Sequence, residues 1–334
     1  IMQTSVYTLS ANDADTQKEN GFIQRSAQTP LGIKTVSPEQ FALDYADLEP
    51  GESLVCNDIA NDRYHSIDVP SKSTIDCLIR RGPQYYRAVH VDHSIAPYFS
   101  ASLNLGSLVH GMPEFGGVEP FIENECVIVE KALELASGEL SQSVKAKATV
   151  KDLLEESGRE FAVTPAQVTK LRNIWDAMMA NGAVRELYED ALAHEVSCIW
   201  RRHSGHLLRC RFDCITKSGI AIDWKSTREP RPLETFWRAC QDFGYALASA
   251  IYREGGQVTG ITDGHPLVFV AISMVEPYET QAVEIPISLV EKEAARITPA
   301  LEELEYRIAN DDWLPAGYHQ VNELYFPQRI LENS

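Results

Sequence analysis

Apolar residues recur in two rhythms along this chain, and the change between them falls near residue 195. Before it the spacing is helical. In residues 71–81, Ile75, Leu78 and Ile79 share a helical face, Ser71 or Ser73 is placed to cap it, and Gly82-Pro83 ends the run. Residues 101–110 carry Leu103, Leu105, Leu108 and Val109, with Gly106 leaving room for another element to approach. Residues 164–188 give the longest such pattern, through Val168, Leu171, Ile174, Trp175, Met178 and Met179; Thr164 suits the N-cap, Pro165 the first turn and Gly182 a break.

Beyond residue 195 alternation takes over. Residues 195–201, 207–216 and 220–227 predict three strands joined by turns at Ser204-Gly205 and Lys217-Ser218-Gly219, a meander. Pro230 and Pro232 punctuate its exit, and residues 233–252 predict one helix. The continuous apolar run within 266–273 predicts a buried central strand, 281–285 another that Pro286 ends, and 289–308 an amphipathic helix interrupted at Pro299. This order predicts an α/β fold with a mixed central β-sheet flanked by helices. Residues 1–50 are polar with little periodicity and are expected to be loosely packed, leaving 51–334 as the folded domain.

Composition narrows the class. At 334 residues, 44% hydrophobic and 23% charged, the chain reads as soluble and globular. It has no apolar run of about 18 residues and no signal-peptide pattern, so a cytoplasmic protein without a membrane span is expected. Seven scattered cysteines, none in C-x-x-C, read as free thiols of a reducing compartment. The net charge of −18 argues against a polyanion-binding surface spread over the whole molecule. Residues 201–231 are the exception, with eight Lys or Arg against three acids. An acidic exterior around one basic working surface is compatible with DNA binding.

Candidate chemistry sits in the same stretch. Asp223 and Lys225 are two apart in a strand and so share a face, while Ile222 and Trp224 project from the other. Asp213 lies in the preceding strand and can reach the same face; Glu195 lies in the strand before that. Such groups on a half-buried sheet are costly unless each neutralises something. A structural ion pair is one answer. A hard divalent cation is the other: magnesium takes oxygen ligands and keeps waters that can attack a phosphodiester, with a lysine beside it to orient or deprotonate the water. The D-x-K tripeptide alone is common, and the strand-by-strand placement of Glu195, Asp213, Asp223 and Lys225 is what makes it specific. Arg209 and Arg211 alternate with Cys210 and Phe212 and so are expected on Asp213's face, for phosphate contact. Arg228 and Arg231 follow on a loop, either DNA-contacting or solvated. Trp200, Trp224, Phe236 and Trp237 read as core rather than base-stacking platforms. His194, His203 and His206 would make a zinc site only if they converged in space.

The pattern resembles the PD-(D/E)XK nuclease superfamily, and within it the RecE-type exonuclease VIII branch. Tyr64-His65 followed by Ser71-Lys72-Ser73 is similar to that branch's Tyr-His and Ser-x-Ser segment, and Gly106-Ser107-Leu108-Val109-His110 to its G-[ST]-x-x-H helix. Glu195 to Trp200, Arg209 to Asp213, and Asp223-Trp224-Lys225-Ser226-Thr227 resemble its E-x-S-x-x-W, R-C-R-x-D and D-x-K-[ST]-[ST] strands. The resemblance implies that His110, Asp213, Asp223 and the Trp224 carbonyl bind Mg2+, with Mn2+ able to substitute. It also implies that Lys225 acts on the attacking water and that Glu195 helps hold a second cation or position the nucleophile. Read alone, His110 would be a core histidine. The family's Q-x-x-x-Y helix is imperfect here: Tyr252 fits the tyrosine, but Ala248 stands where glutamine belongs, and Gln241 with Tyr245 has the same spacing earlier. No iron–sulfur cluster is expected. The implied activity is 5′ to 3′ degradation of linear double-stranded DNA from its ends, leaving 3′ tails for a recombinase or single-strand annealing protein. A prophage setting and a homo-oligomeric ring are implied too. A PD-(D/E)XK endonuclease, or an inactive DNA-binding module on the same fold, are the alternatives.

Overall fold

The structure, a computed structural model, describes residues 35–57, 59–95, 102–262 and 264–318. Among the described residues eight strands carry it: β1 Ser53–Cys56, β2 Cys126–Ile128, β3 Phe161–Val163, β4 Ala191–Arg201, β5 Leu207–Thr216, β6 Ala221–Thr227, β7 Val268–Ser273 and β8 Thr280–Glu284. Six form one mixed sheet in the order β1-β4-β5-β6-β7-β8; β2 and β3 pair separately. All neighbours in the large sheet are antiparallel except β6 and β7, which run parallel. Parallel neighbours need a long crossover, and two helices, Pro232–Asp242 and Tyr245–Thr259, supply it. The predicted meander and buried strand are therefore present, on a mixed sheet flanked by helices.

Both faces of the sheet are covered. Cys198, Trp200, Leu208, Cys210, Phe212, Phe269 and Ala271 pack on one face with Phe236, Leu247, Ile251 and Leu301 of the C-terminal helices. Cys214, Ile222, Trp224, Val270 and Ile272 pack on the other with Val109, Met112, Phe121, Leu171 and Met178. The all-buried pattern of β7 is what a strand between two helical layers requires.

The break expected at Gly182 is present: the 164–188 pattern is two helices, Pro165–Ala180 and Gly182–Glu189, because Asn181 leaves the helical conformation and its Oδ1 accepts the Val184 N–H at 3.2 Å. Two other helix expectations change. The expected single helix over 233–252 is also two. Phe243 ends the first, and Gly244, at φ +63°, turns the chain into the second. The 289–308 pattern divides at Ala295–Arg296 into Ile287–Ala294 and Ile297–Asn310, not at Pro299. Pro299 lies in the first turn of the second helix, where a missing N–H has no intrahelical partner to lose.

Residues 1–34 of the expected loose segment lie outside the described residues. Residues 35–50 are folded: Pro38–Leu43 is a helix with a Ser37–Gln40 capping box, and its Phe41 is fully buried against Leu48, Cys56, Ile59, Tyr64 and Ile199. None of the seven cysteines, all of them among the described residues, forms a disulfide. Among the described residues no helix is long and apolar enough to cross a membrane.

Candidate active site at the fork between β5 and β6

The site forms where two strands part. β5 and β6 pair only at Cys214–Ile222 and Ile215–Ala221, while β6 continues beside β7 from Ile222 to Thr227. The next position on each diverging strand is an aspartate, Asp213 on β5 and Asp223 on β6. With no β5 carbonyl opposite it, the Trp224 N–H is accepted by Asp213 Oδ2 at 3.0 Å, so a side chain stands in for the ladder. Lys225 Nζ donates to Asp223 Oδ1 and, at 3.4 Å, to the Trp224 carbonyl. The expected common face for Asp223 and Lys225, with Ile222 and Trp224 on the opposite core, is as the alternation predicts.

Strand phase also shifts here. In register, Glu195 falls opposite Asp213, between the Val196–Phe212 and His194–Cys214 pairs. Glu195 has φ +52°, a left-handed conformation uncommon for a non-glycine. Ala193 and Val196, three apart, consequently pack on the same core, as do Phe212 and Ile215. The shift aims the Glu195 carboxylate at Arg211, with Nη1 3.3 Å from Oε2.

His110 reaches the site from the Ser102–Glu114 helix. That helix approaches β6 at Gly106, where an added Cβ would stand 3.0 Å from Ser226 Oγ. One turn on, His110 Nδ1 lies 3.3 Å from Asp213 Oδ2.

These charges shape one another. Burial pushes the Asp223 carboxyl well above the usual carboxylate range, and the Asp213 charge adds to that while Lys225 opposes it. Burial also works against ionisation of Asp213, but Lys225 and His110 outweigh it and hold that carboxyl low. Burial disfavours the Lys225 ammonium, and the two aspartates more than compensate, so it stays charged. Glu195 is pushed up to about 7, by burial first and then by the Asp213 charge, with Arg211 opposing.

The arginines depart from expectation. Arg209 is only 6% exposed; its Nε donates to the Val69 carbonyl at 2.8 Å and Nη1 to the Tyr64 carbonyl, so it is not placed for phosphate contact. The strand pattern gives a face but not what covers it, and here residues 59–69 do. Arg211 is likewise enclosed, bonded to Ser197 Oγ, Asn61 Oδ1 and the Ile59 carbonyl, and it positions Glu195. Both guanidinium groups lie over the Tyr64 ring, at 4.6 and 4.0 Å from its centroid. Arg228 is exposed just past β6, whereas Arg231 pairs with Glu234.

Gln241 and Tyr245 fall on different helices, so their four-residue spacing does not place them on one face. Gln241 is exposed, while the Tyr245 ring sits 5.8 Å from Lys225 Nζ. Tyr252 packs edge-on against Phe212, 5.3 Å between centroids. His206 bonds Ser204 and faces Glu305, and His203 lies beside Gly51, so these two histidines have separate neighbourhoods. Trp200, Trp224 and Phe236 are core as expected, but Trp237 is 54% exposed. The sequence analysis gave no role to Asn61, which bonds Arg211, and named Lys72, which bonds the Phe243 carbonyl, only within Ser71-Lys72-Ser73. For Lys72 a signal existed in the Lys72, Asp76, Arg80 spacing of one helical stripe.

The donor set fits a hard cation in kind, with carboxylates at Asp213, Asp223 and Glu195, the Trp224 carbonyl and the His110 imidazole. Two carboxylates forced together, one of them driven toward protonation, are what a divalent cation would relieve. Among the described residues no three His, Cys, Asp or Glu side chains already stand in ligating geometry. Lys225 lies against Asp223 and His110 against Asp213, so these groups meet one another first.

No curated protein matches this chain. A protein from Eubacterium rectale, described as a "Putative exonuclease", has a solved structure similar to this one. The TM-score is 0.50 at 14% identity, covering 83% of this chain and 98% of that one, a likeness of fold. Residues 86–316 match a family described as a PDDEXK-like domain of unknown function, DUF3799. That span takes in most of the chain and every residue of the fork from His110 to Lys225, and the chain belongs to this PDDEXK-like family.

Proposed function

We propose that this protein is a magnesium-dependent nuclease acting on linear double-stranded DNA from its ends. The observation that carries the reading is the fork itself, which brings Asp213, Asp223 and Lys225 together where β5 leaves β6. Asp213, Asp223, the Trp224 carbonyl and His110 would hold a cation, with Glu195 beside them. Bound magnesium supplies Lewis-acid polarisation of the phosphate and lowers the pKa of a coordinated water. Lys225, kept as an ammonium by its aspartate neighbours, is suited to donate hydrogen bonds to the negative charge that builds on phosphate oxygens. Asp213 fixes the Trp224 backbone and meets His110, and Arg211 sets the Glu195 carboxylate.

The finer reading is 5′ to 3′ exonuclease action, leaving 3′ tails for a recombinase or annealing partner, by a ring-shaped oligomer. It rests on the likeness of the motifs to RecE-type exonucleases. Digestion of linear duplex labelled at either end, with magnesium or with chelator and beside a closed circle, tests it. Early magnesium-dependent loss of the 5′ label with the circle intact is expected. Cutting of the circle would instead identify an endonuclease, and binding without cleavage under any metal a non-catalytic module.

A further inference from the structure

The kink between the two crossover helices carries a column of aromatic rings that runs from Lys225 to the surface. Phe269, buried on β7, stacks on Tyr245 with centroids 5.2 Å apart and planes at 19°. Tyr245, beside Lys225, in turn stacks on Phe243, at 5.8 Å and 28°. Phe243 is 58% exposed. The column therefore has a covered end at the sheet and a bare end outside.

The bare end is held firmly. Lys72 Nζ donates to the Phe243 carbonyl, and Arg80 donates to the carbonyls of Gln241 and Asp242. Asp76 joins Lys72 and Arg80 at 3.5 and 3.6 Å and lies directly against Gly244. These cations neutralise carbonyls at the C-terminus of the Pro232–Asp242 helix, which would otherwise repel a phosphate. Burial pushes the Lys72 ammonium down, Asp76 opposes that, and the Lys225 and Arg80 charges add to it. Lys72, paired with Asp76, bonds the Phe243 carbonyl, and Lys225, paired with Asp223, lies 5.8 Å from the Tyr245 ring, so each ammonium beside the column carries its own carboxylate.

We propose that Phe243 is a stacking platform for an unpaired DNA base next to the cleaved phosphate, extending the Phe269–Tyr245–Phe243 column by one ring. This rests on the nuclease reading for the position of the phosphate. The fit lies in an exposed aromatic ring at the end of a stacked column, over carbonyls that Lys72 and Arg80 already bond, which a nucleobase complements without sequence preference. It gives the site a way to hold a frayed end.

The test is fluorescence anisotropy in chelator, with a duplex bearing three unpaired nucleotides at one end and a duplex whose ends are closed by hairpins. Wild type is compared with Phe243→Tyr, Phe243→Leu and Phe243→Ala, each checked for wild-type thermal unfolding. Phe243→Tyr is expected to bind the frayed end within about twofold of wild type, and Phe243→Leu and Phe243→Ala about tenfold more weakly, the effect of losing one stacked base. The closed duplex should not discriminate among them. Equal binding by all four proteins, or retention by leucine, would overturn the proposal. So would sedimentation showing that Phe243→Ala dissolves a contact between copies of the chain. Cleavage in magnesium is read separately. A wild type that discriminates frayed ends without cutting keeps the platform and removes the nuclease, and one that cuts while Phe243→Ala binds normally does the reverse.

Discussion

Glu195 carries a local compromise in the site, a carboxylate on a left-handed residue inside a strand, opposite a second carboxylate. Its carboxyl ionises at about 7 in the folded protein against an ordinary 4.5, so in the absence of metal the folded state disfavours the charge. A raised folded value means the protonated form's contribution is present at low pH and is lost as pH rises through that window. Glu195→Gln cannot ionise. Thermal unfolding in chelator should therefore show its stability relative to wild type increasing from about pH 4.5 to about pH 7 and levelling off above that. A difference independent of pH would contradict the assignment. At this scale the sequence was legible where period-two alternation decides, as for Asp223, Lys225 and the apolar Ile222 and Trp224 behind them. It was not legible for Arg209, whose face the alternation gives but whose cover comes from residues roughly 140 positions earlier in the chain. Nor does alternation foresee the phase shift at Glu195.

Among the elements, strands were read more faithfully than helix ends. The meander, the buried β7 and the strand after it all lie close to where the hydrophobic pattern puts them. The breaks within helices were set by contacts that no local pattern carries. Gly244 is the clearest case. It adopts φ +63°, and an added Cβ would come within 2.4 Å of Asp76 Oδ1, on a helix more than 160 residues away in sequence. The kink it permits takes Gln241 away from Tyr245 and leaves Tyr245 beside Lys225. Gly244→Ala should therefore destabilise the protein by about 1–3 kcal/mol, from left-handed strain and the displaced Asp76. Urea unfolding measures it, and a neutral substitution would show that the Asp76 stripe does not hold the kink.

At the scale of the whole molecule, a sheet covered on both faces opens between β5 and β6, and the charged groups of the site collect there. The family match begins at residue 86, yet Tyr64, Asn61 and the Ile59 carbonyl, which fix Arg211 and through it Glu195, come from before it. The candidate site thus draws on a longer stretch of chain than the matched domain. Within that frame Lys225 is the group with the most direct expected contact to a reacting phosphate. Single-turnover cleavage of linear duplex DNA in magnesium, comparing wild type with Lys225→Ala at matched DNA binding, tests this most directly. The account predicts magnesium-dependent cleavage by wild type and a loss of about a hundredfold or more in the variant, the scale of a removed proton-transfer or charge-stabilising group. Equal cleavage rates for the two proteins would contradict it.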